Sequence, residues 1–369
     1  MKILNVITDS NIGGAGRQLL SFLRCCDRDR FDITVALPAG ALLTPSLMEI
    51  GVRCLEIDGI AEKSFSVPAI WSLRRLFMRE KPDIVHAHAS MSARIAAKAA
   101  RCRIVYTRHS VFENRRIKTV FPARQLLGAV NNFFADAVIA VSPAARDILV
   151  EAGQAPGKIR VIYNGVEALP APDPRLKAET RSSYGLKDDD FVCGIFARIT
   201  PVKGHEYILS AAETLKNIAD VKFVIAGTGE SEGDLKKRAD AAGIGNVIFT
   251  GFLEDAGDLM GAIDVQINAS YGTEATSLSL LEGMSMGIPA VVSSFGGNPY
   301  VINDGVNGLV FAERDAGALA GAIMKLYNDK ALYAEMSVNA ERVYRERFTA
   351  AEMAKNIGEL YMELGTVQQ

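Results

Sequence analysis

The chain has 369 residues, of which 49% are hydrophobic, and its formal net charge at pH 7 is −2. This length suggests two domains of about 150 residues each, with enough apolar residues for full cores. The near-neutral charge balance gives no support to nucleic-acid binding, which needs a basic surface. The five cysteines show no metal-ligand spacing, so we expect a reduced chain without a disulfide framework.

The N-terminal sequence has an apolar run of only five or six residues before Asp9. Such a run is too short for the hydrophobic region of a signal peptide. No run approaches the roughly 18 apolar residues that a membrane-spanning helix needs. We therefore expect a cytoplasmic protein, either free or peripheral on the inner face of the cytoplasmic membrane.

Short β-branched runs alternate with helix-like segments along the whole chain. The runs are 2–8, 32–38, 53–58, 83–88, 103–108, 137–142 and 159–166 in the first half, and 191–197, 222–227, 246–251, 265–270, 290–294 and 308–311 in the second. Runs this apolar fit strands covered on both faces, and the alternation implies βαβ units with parallel sheets. The pattern predicts an α/β fold with two Rossmann-like, doubly wound domains facing each other across a ligand-binding cleft.

The composition changes at 167–190, where three prolines within five residues are followed by a charge run, and this predicts a linker or exposed loop. The predicted domains are therefore 1–166 and 167–345. Residues 329–365 are predicted to be helical throughout. The final part, 346–369, is predicted to be a C-terminal helix that packs back toward the N-terminal domain.

The stretch "TEATSLSLLEGMSMGIP" holds two glutamates eight positions apart, Glu274 and Glu282. Between them a helix is predicted to start near Thr276 or Ser277 with a hydroxyl cap and to end at Gly287. The first turn of a helix has unpaired N–H groups and a partial positive charge, which suits a phosphate. Carboxylates on either side of such a site could bind the sugar hydroxyls that flank a diphosphate. The spacing alone also fits a loop charge and a solvated helix position.

Two cations, Arg198 and Lys203, flank a predicted tight turn in "RITPVKG", directly after the strand 191–197. Fixed cations stabilise the negative charge that forms on a departing diphosphate. Arginine can bind two phosphate oxygens, and lysine acts as a point charge. The alternative interpretation is a pair of surface cations on a loop.

His109 follows the strand 103–108, so it is predicted to lie at the carboxyl end of that strand, where ligands bind in such sheets. A purely structural histidine fits the same position. His88 ends the preceding strand and could reach the cleft, whereas His86 is expected to pack inside.

The segment "NIGGAGRQLL" opens a predicted helix after the first strand. It lacks the third glycine of the dinucleotide fingerprint, since Leu19 occupies that position, and it is weak evidence for NAD. Glycines such as Gly14 still let another molecule approach the backbone closely.

Taken together and in order, these motifs resemble the family-4 retaining glycosyltransferases with the GT-B architecture. The resemblance is carried by the E-x7-E signature at Glu274 and Glu282 and by "RITPVKG", "AGTGE", "VIYNGV", "INDGVNGLVF" and "NIGGAGRQL". It covers nearly the whole chain. It implies that the N-terminal domain binds the acceptor and the C-terminal domain binds the nucleotide sugar.

The resemblance also implies roles for individual residues. Glu274 faces the donor sugar, Glu282 takes the ribose hydroxyls, and His109 positions the donor in the active site, while Arg198 and Lys203 stabilise the leaving diphosphate. The remaining donor-binding positions that it implies are Gly14, Gly227, Thr276, Ser277 and Leu278.

The implied reaction is a metal-independent, retaining transfer of a hexose-type sugar from a UDP- or GDP-sugar to a hydroxyl acceptor. No cofactor is expected, and the segments "DRD" (27–29) and "DDD" (188–190), which resemble a D-x-D metal motif, are expected to be solvated. The acceptor is expected to be a sugar, a lipid-linked sugar or a glycolipid, as in polysaccharide, lipopolysaccharide or glycolipid synthesis. The mixture of basic and aromatic residues in 112–135 fits contact with an anionic membrane, and it fits an ordinary packed helix as well.

Three other functions remain open on the residues. A sugar-nucleotide epimerase of the same architecture would need further acid or base groups around the sugar. A noncatalytic scaffold would be expected to lose Glu274 or Lys203, and both are present. An NAD-dependent oxidoreductase is disfavoured by the incomplete glycine fingerprint.

Overall fold

The computed structural model describes residues 1–62, 64–109, 111, 122–171 and 173–366. The chain divides into two compact units. Unit 1 comprises Met1–Val166 together with Thr349–Gln369, and unit 2 comprises Glu167–Phe348.

Unit 1 is a parallel sheet with helices on both faces. Its strands are β1 (Lys2–Ile7), β2 (Asp32–Pro38), β3 (Arg53–Ile57), β4 (Ile84–His88), β5 (Arg103–Arg108), β6 (Ala137–Ala140) and β7 (Ile159–Val161). Its helices before residue 166 are α1 (Gly14–Cys25), α2 (Thr44–Glu49), α3 (Val67–Glu80), α4 (Met91–Ala99), α5 (Ala123–Phe133) and α6 (Pro143–Glu151). Across the described residues the strand order is β3-β2-β1-β4-β5-β6-β7.

Successive residues of the central strands point into two different cores. Ile3 and Ile7 of β1 pack in the core that contains Phe22 of α1. Leu4 and Val6 of the same strand pack in the core that contains α3 and α4. Because both faces of the sheet are covered, consecutive positions of the strand are apolar, which is the pattern that identified it in the sequence.

Unit 2 repeats this design. Its strands are β8 (Phe191–Phe196), β9 (Val221–Ala226), β10 (Val247–Gly251), β11 (Val265–Asn268), β12 (Ala290–Ser293) and β13 (Gly308–Phe311). Its helices are α7 (Pro174–Ser183), α8 (His205–Thr214), α9 (Glu232–Ala241), α10 (Gly257–Ala262), α11 (Leu278–Ser285), α12 (Asn298–Val301), α13 (Ala316–Asn328) and α14 (Lys330–Arg347). Within the part of the chain that is described, the strand order is β10-β9-β8-β11-β12-β13.

Each sheet has one point at which the direction of strand succession reverses. In unit 1 this point lies between β1 and β4, and in unit 2 it lies between β8 and β11. Helices on the two sides of such a point leave a crevice at the carboxyl ends of the strands, which is where open α/β sheets bind ligands. The topology therefore directs attention to the loops that follow these four strands.

The chain returns to unit 1 after α14. The helix α15 (Ala350–Thr366) packs on α1 with Tyr361 fully buried, in edge-on contact with Phe22 and Phe31. At the start of this helix, Thr349 forms a parallel bridge with Val166, and the Ala350 N–H donates to the Val166 carbonyl oxygen at 2.9 Å. The points where the chain leaves and re-enters unit 1 are therefore adjacent and hydrogen-bonded to each other.

Three sequence-based predictions of local structure are wrong. The predicted linker 167–190 contains α7, which starts because Asp173 caps the helix by accepting from the Arg175 N–H at 2.9 Å and proline occupies the first helical position. The predicted continuous helix 329–365 is broken at Phe348 and Thr349 into α14 and α15. Asp190 is buried instead of solvated.

Among the described residues, no helix combines the length and the apolar character that a bilayer crossing requires.

Candidate functional site

The loops that follow β8 and β11 bring two predicted site residues together. Lys203 Nζ donates to Glu274 Oε2 at 2.8 Å, and the Glu274 side chain is 6% exposed. The same oxygen accepts from Asn268 Nδ2 at 3.0 Å and from Ser270 Oγ at 3.1 Å. These three hydrogen bonds offset the free energy that the Glu274 carboxylate loses when it is removed from water. Because all three donors approach Oε2, they fix the orientation of the carboxylate.

The loop that carries Lys203 is held against the loop after β11 through backbone contacts. Tyr271 N–H donates to the Val202 carbonyl oxygen at 3.0 Å. Gly204 has φ +71° and lies against the carbonyl oxygen of Ala269, so a side chain at this position would collide with the backbone. The glycine thus lets the two loops approach closely enough for the Lys203–Glu274 contact.

Arg198 lies at the carboxyl end of β8, at the start of the same loop. Its side chain is exposed. Its carbonyl oxygen accepts from the Thr200 N–H at 2.9 Å, which forms the turn before the single 3-10 turn Pro201–Lys203. The sequence prediction of a tight turn with a cation at each end is confirmed as local structure.

The helix α11 begins directly after Glu274. Ser277 is its N-cap, and Ser277 Oγ accepts from the Leu280 N–H at 3.4 Å, so the predicted hydroxyl cap is confirmed. Ser279 Oγ donates to the carbonyl oxygen of Phe196 at 3.0 Å, which ties the helix start to the end of β8. The N–H of Leu278, at the first helical position, has no carbonyl acceptor within the helix. The N-terminus of α11 therefore presents the Leu278 N–H as a backbone donor at the β8/β11 reversal point.

Two further predicted residues lie on the same side of unit 2. Gly227 follows β9 with φ +139° and lies against the carbonyl oxygen of Ala197, after β8. Glu282 is the fifth residue of α11 and is half-buried. All the predicted site residues of unit 2 therefore follow the carboxyl ends of β8 and β9 or lie in the segment from β11 to α11.

In unit 1 the predicted site residues follow β1 and β5. Gly14 is the first residue of α1, with Gly13 as N-cap, and a Cβ at Gly14 would meet open space. His109 follows the end of β5, and its Nε2 lies 2.8 Å from Nδ1 of His88, the last residue of β4. The planes of the two imidazole rings are 19° apart, and their centroids are 5.1 Å apart. His88 is therefore the last residue of its strand, as predicted, and it contacts His109.

His88 is in turn held from β1 and β4. Its Nε2 lies 3.2 Å from Asn5 Oδ1, and its ring stacks on His86 with centroids 4.5 Å apart. His86 is buried between Tyr361 Oη on Nδ1 and Thr107 Oγ1 on Nε2, both at 2.6 Å. Burial lowers the pKa of His86 to about 3 and that of His109 to about 4, and it lowers the pKa of His88 well below its usual value. All three rings are therefore neutral at pH 7.

Within the ranges that the structure describes, no group of three or more histidine, cysteine, aspartate or glutamate side chains is placed to hold a metal ion. The triplet 27–29 lies between α1 and β2, and 188–190 lies directly before β8.

Two family profiles match the chain one after the other. The profile described as Glycosyltransferase Family 4 matches residues 12–168, and the profile described as Glycosyl transferases group 1 matches residues 177–343. The chain belongs to the family 4, group 1 glycosyltransferases.

This glycosyltransferase is similar to curated relatives over most of its length. It is 28% identical to the UDP-Gal:alpha-D-GlcNAc-diphosphoundecaprenol alpha-1,3-galactosyltransferase of Escherichia coli, with 99% of this chain and 97% of that one covered. It is 30% identical to the alpha-monoglucosyldiacylglycerol synthase of Streptococcus pneumoniae, with 76% of this chain and 66% of that one covered.

The fold of this glycosyltransferase also matches solved structures. HepE of Anabaena, crystallised in complex with UDP and glucose, aligns with a TM-score of 0.86 and 25% identity over 98% of this chain and 99% of that one. The predicted GT-B architecture with two Rossmann-like domains is confirmed.

The glycosyltransferase contains a buried polar network behind Glu274 that the sequence did not reveal. Asn298 Nδ2 donates to Ser293 Oγ at 3.1 Å and approaches Asn268 Oδ1 at 3.4 Å. Ser293 Oγ donates to the Ser270 carbonyl oxygen at 2.5 Å. The signal was weak because each residue is only a small polar group, near the end of an apolar strand or at the start of α12, and their contacts are non-local.

Proposed function

We propose that this protein transfers a hexose-type sugar, with retention of anomeric configuration, from a UDP- or GDP-sugar to a hydroxyl acceptor. The observation that carries the proposal is the convergence of Lys203, Glu274 and the N-terminus of α11 at the β8/β11 reversal point. The convergence joins a cation and backbone donors, which suit a diphosphate, with an oriented carboxylate, which suits sugar hydroxyls.

In the proposed complex the diphosphate lies against the first turn of α11, near Thr276, Ser277 and Leu278. Lys203 and Arg198 meet the negative charge that builds up on the leaving phosphate as the glycosidic bond breaks. The departing phosphate accepts the acceptor's hydroxyl proton, and the new bond forms on the same face of the sugar. No metal ion takes part in this scheme, because the two cations and the helix terminus supply the positive charge.

Glu274 orients the donor sugar in this scheme. Three protein donors occupy Oε2, so we assign Oε1 to a sugar hydroxyl. Glu282 binds the ribose hydroxyls from its position farther along α11, and Gly227 lets the nucleoside approach the backbone. In unit 1, Gly14 and His109 are the proposed donor-contacting residues.

The proposed acceptor is a lipid-linked sugar or a glycolipid at a membrane surface. The part of the predicted membrane segment at 112–121 lies outside the described residues, but α5 is described, and its orientation is unusual. The polar side chain of Asn131 is held by the protein, since Arg94 Nη1 donates to Asn131 Oδ1 at 3.1 Å. Leu126 and Phe133, on the opposite side of α5, are 67% and 59% exposed.

An amphipathic helix whose apolar side faces outward fits the interfacial region of a bilayer. The names of two relatives, one with a diphosphoundecaprenol-linked substrate and one that makes a glucosylated diacylglycerol, support a lipid acceptor. Burying two such side chains contributes about 3 kcal/mol. We therefore expect Leu126→Ser with Phe133→Ser to weaken binding to anionic vesicles by at least about tenfold. Val338→Ser, at a 69% exposed position on α14, is the matched control.

The donor assignment is tested by a thermal-shift screen of UDP-, GDP- and ADP-sugars, followed by NMR analysis of the product's anomeric configuration. We expect a UDP- or GDP-sugar to raise the melting temperature and the product to retain the donor's configuration. An inverted product contradicts the proposed retention, and no shift with any sugar nucleotide contradicts the proposed donor class.

A further inference from the structure

The histidine pair at the ends of β4 and β5 forms one directed chain of hydrogen bonds. Asn5 is fully buried and His88 is 3% exposed. Asn5 Oδ1 faces His88 Nε2 at 3.2 Å, and His88 Nδ1 faces His109 Nε2 at 2.8 Å. A carbonyl oxygen only accepts, so His88 carries its proton on Nε2.

The position of that proton determines the next bond. A neutral imidazole has one N–H and one lone pair, so His88 with its proton on Nε2 can only accept at Nδ1. The donor to Nδ1 is then the N–H at His109 Nε2. Neutral His109 is consequently left with a lone pair at Nδ1.

The stacking in this cluster prevents the rings from reorienting independently. His88 lies between His86 and His109, with centroid distances of 4.5 and 5.1 Å and interplanar angles of 25° and 19°. His86 is itself fixed at both nitrogens by Tyr361 and Thr107. A flip of the His88 ring would therefore break its hydrogen bonds to Asn5 and His109 in a closely packed site.

We infer that His88, held by Asn5, is a positioning residue that fixes His109 in the tautomer whose Nδ1 accepts a hydrogen bond from a hydroxyl of the substrate. This inference rests on the proposed function, in which His109 contacts the donor sugar. It assigns the neighbouring histidine a role in the reaction that does not require contact with the substrate. His88 acts only through the ring of His109.

Two substitutions separate this role from a contribution to folding. In His88→Asn the amide takes the place of Nδ1, so the bond to His109 is retained and the contact with Asn5 is lost. In His88→Gln the amide takes the place of Nε2, so the contact with Asn5 is retained and the bond to His109 is lost. Both variants lose the same stacked ring, so their stabilities should fall by similar amounts.

The kinetic test compares kcat and KM for the sugar nucleotide in both variants, with the Kd for UDP as a binding control. Loss of the bond to His109 is expected to lower kcat of His88→Gln about tenfold relative to His88→Asn, while the Kd for UDP stays equal in the two. Equal kcat values in the two variants overturn the inference.

A spectroscopic test does not depend on turnover. The protein has four histidines, so the ring nitrogens can be assigned by NMR with single variants. We expect His109 in the wild type to carry its proton on Nε2, and this tautomer to be lost in His88→Gln. A proton on Nδ1 of wild-type His109 overturns the inference even if a variant fails to fold. Absence of transfer by the wild type with the predicted tautomer present would instead contradict the proposed function.

Discussion

Replacing Lys203 with alanine tests the proposed diphosphate site most directly. In the structure this lysine is paired with Glu274 at 2.8 Å, so its ammonium group is held at the reversal point of the sheet. In the proposed complex it also binds the phosphate. A hydrogen bond between charged groups contributes about 1.5–3 kcal/mol. At about 2 kcal/mol, we expect the Kd for UDP to rise roughly 30-fold in Lys203→Ala.

The substitution also has a calculable effect on stability. Glu274 is 6% exposed and would keep Asn268 and Ser270 as donors after the lysine is removed. Breaking a fully buried ion pair costs about 3–5 kcal/mol. The Lys203 side chain is 24% exposed, so the cost should be lower, about 1–2 kcal/mol. Urea denaturation of the ligand-free protein measures this term separately from binding.

Two further variants make the binding result specific. Glu274→Gln removes the carboxylate but keeps the lysine, so we expect UDP affinity to be retained or increased while sugar transfer is lost. Lys236→Ala breaks a surface ion pair with Glu232 on α9, and such pairs contribute only about 0.3–0.5 kcal/mol to stability. This control should change neither the affinity for UDP nor the rate of sugar transfer. Isothermal titration calorimetry with UDP compares all three. Undiminished UDP affinity in Lys203→Ala would refute the assignment of the diphosphate site.

Three further predictions concern stability. Tyr361→Phe leaves His86 Nδ1 without its buried partner, so the free energy of unfolding should fall by about 1–3 kcal/mol in urea denaturation, and an unchanged value contradicts the bond. Burial holds the pKa of His86 at about 3 and that of His109 at about 4, below the value of about 6.5 in the unfolded chain. The contribution of these neutral histidines to the free energy of unfolding is therefore complete above pH 6.5 and is lost as pH falls toward 4. Each histidine should lower the free energy of unfolding by about 1 kcal/mol between pH 7 and pH 5.5. An unchanged free energy of unfolding over this interval contradicts the burial of both rings in the neutral form. Gly227→Ala should destabilise unit 2 by more than about 2 kcal/mol, because the φ of this residue is +139° and the new methyl group meets a backbone oxygen. The control is Gly233→Ala in α9, where a Cβ meets open space, and its stability should be unchanged or higher. Equal effects of the two substitutions would contradict this reasoning.

The strands were predictable because their physical cause is local. A strand covered on both faces must be apolar at consecutive positions, and β1 and β8 show this in the sequence itself. The cap at Ser277 was predictable for the same reason, since a hydroxyl before an apolar helical segment satisfies an N–H within the same turn. The order of the strands in each sheet was not predicted, because it depends on pairing between segments that are distant in the sequence.

The errors arose where a local signal was ambiguous or the partner was distant. The Asp-Pro pair at 173–174 begins α7, but in a proline-rich stretch it was interpreted as part of a linker. Arg181 within that helix can be buried, at 2% exposure, because its Nη2 donates to Asp264 Oδ2 at 2.7 Å. Asp264 lies more than eighty positions away in the sequence. The support of Glu274 by Asn298 is equally non-local. Sequence patterns reveal which side chains can bond, but the fold decides which of them meet.

The adjacent crossing points at Val166 and Thr349 have a practical consequence for dissecting the enzyme. Because the two residues are bridged within unit 1, the 182 residues between them form an insertion whose ends are anchored side by side. A short glycine-serine bridge is long enough to rejoin the flanking chain. Excision of the insertion would then give two separately expressible proteins, each with one sheet and with closely spaced ends.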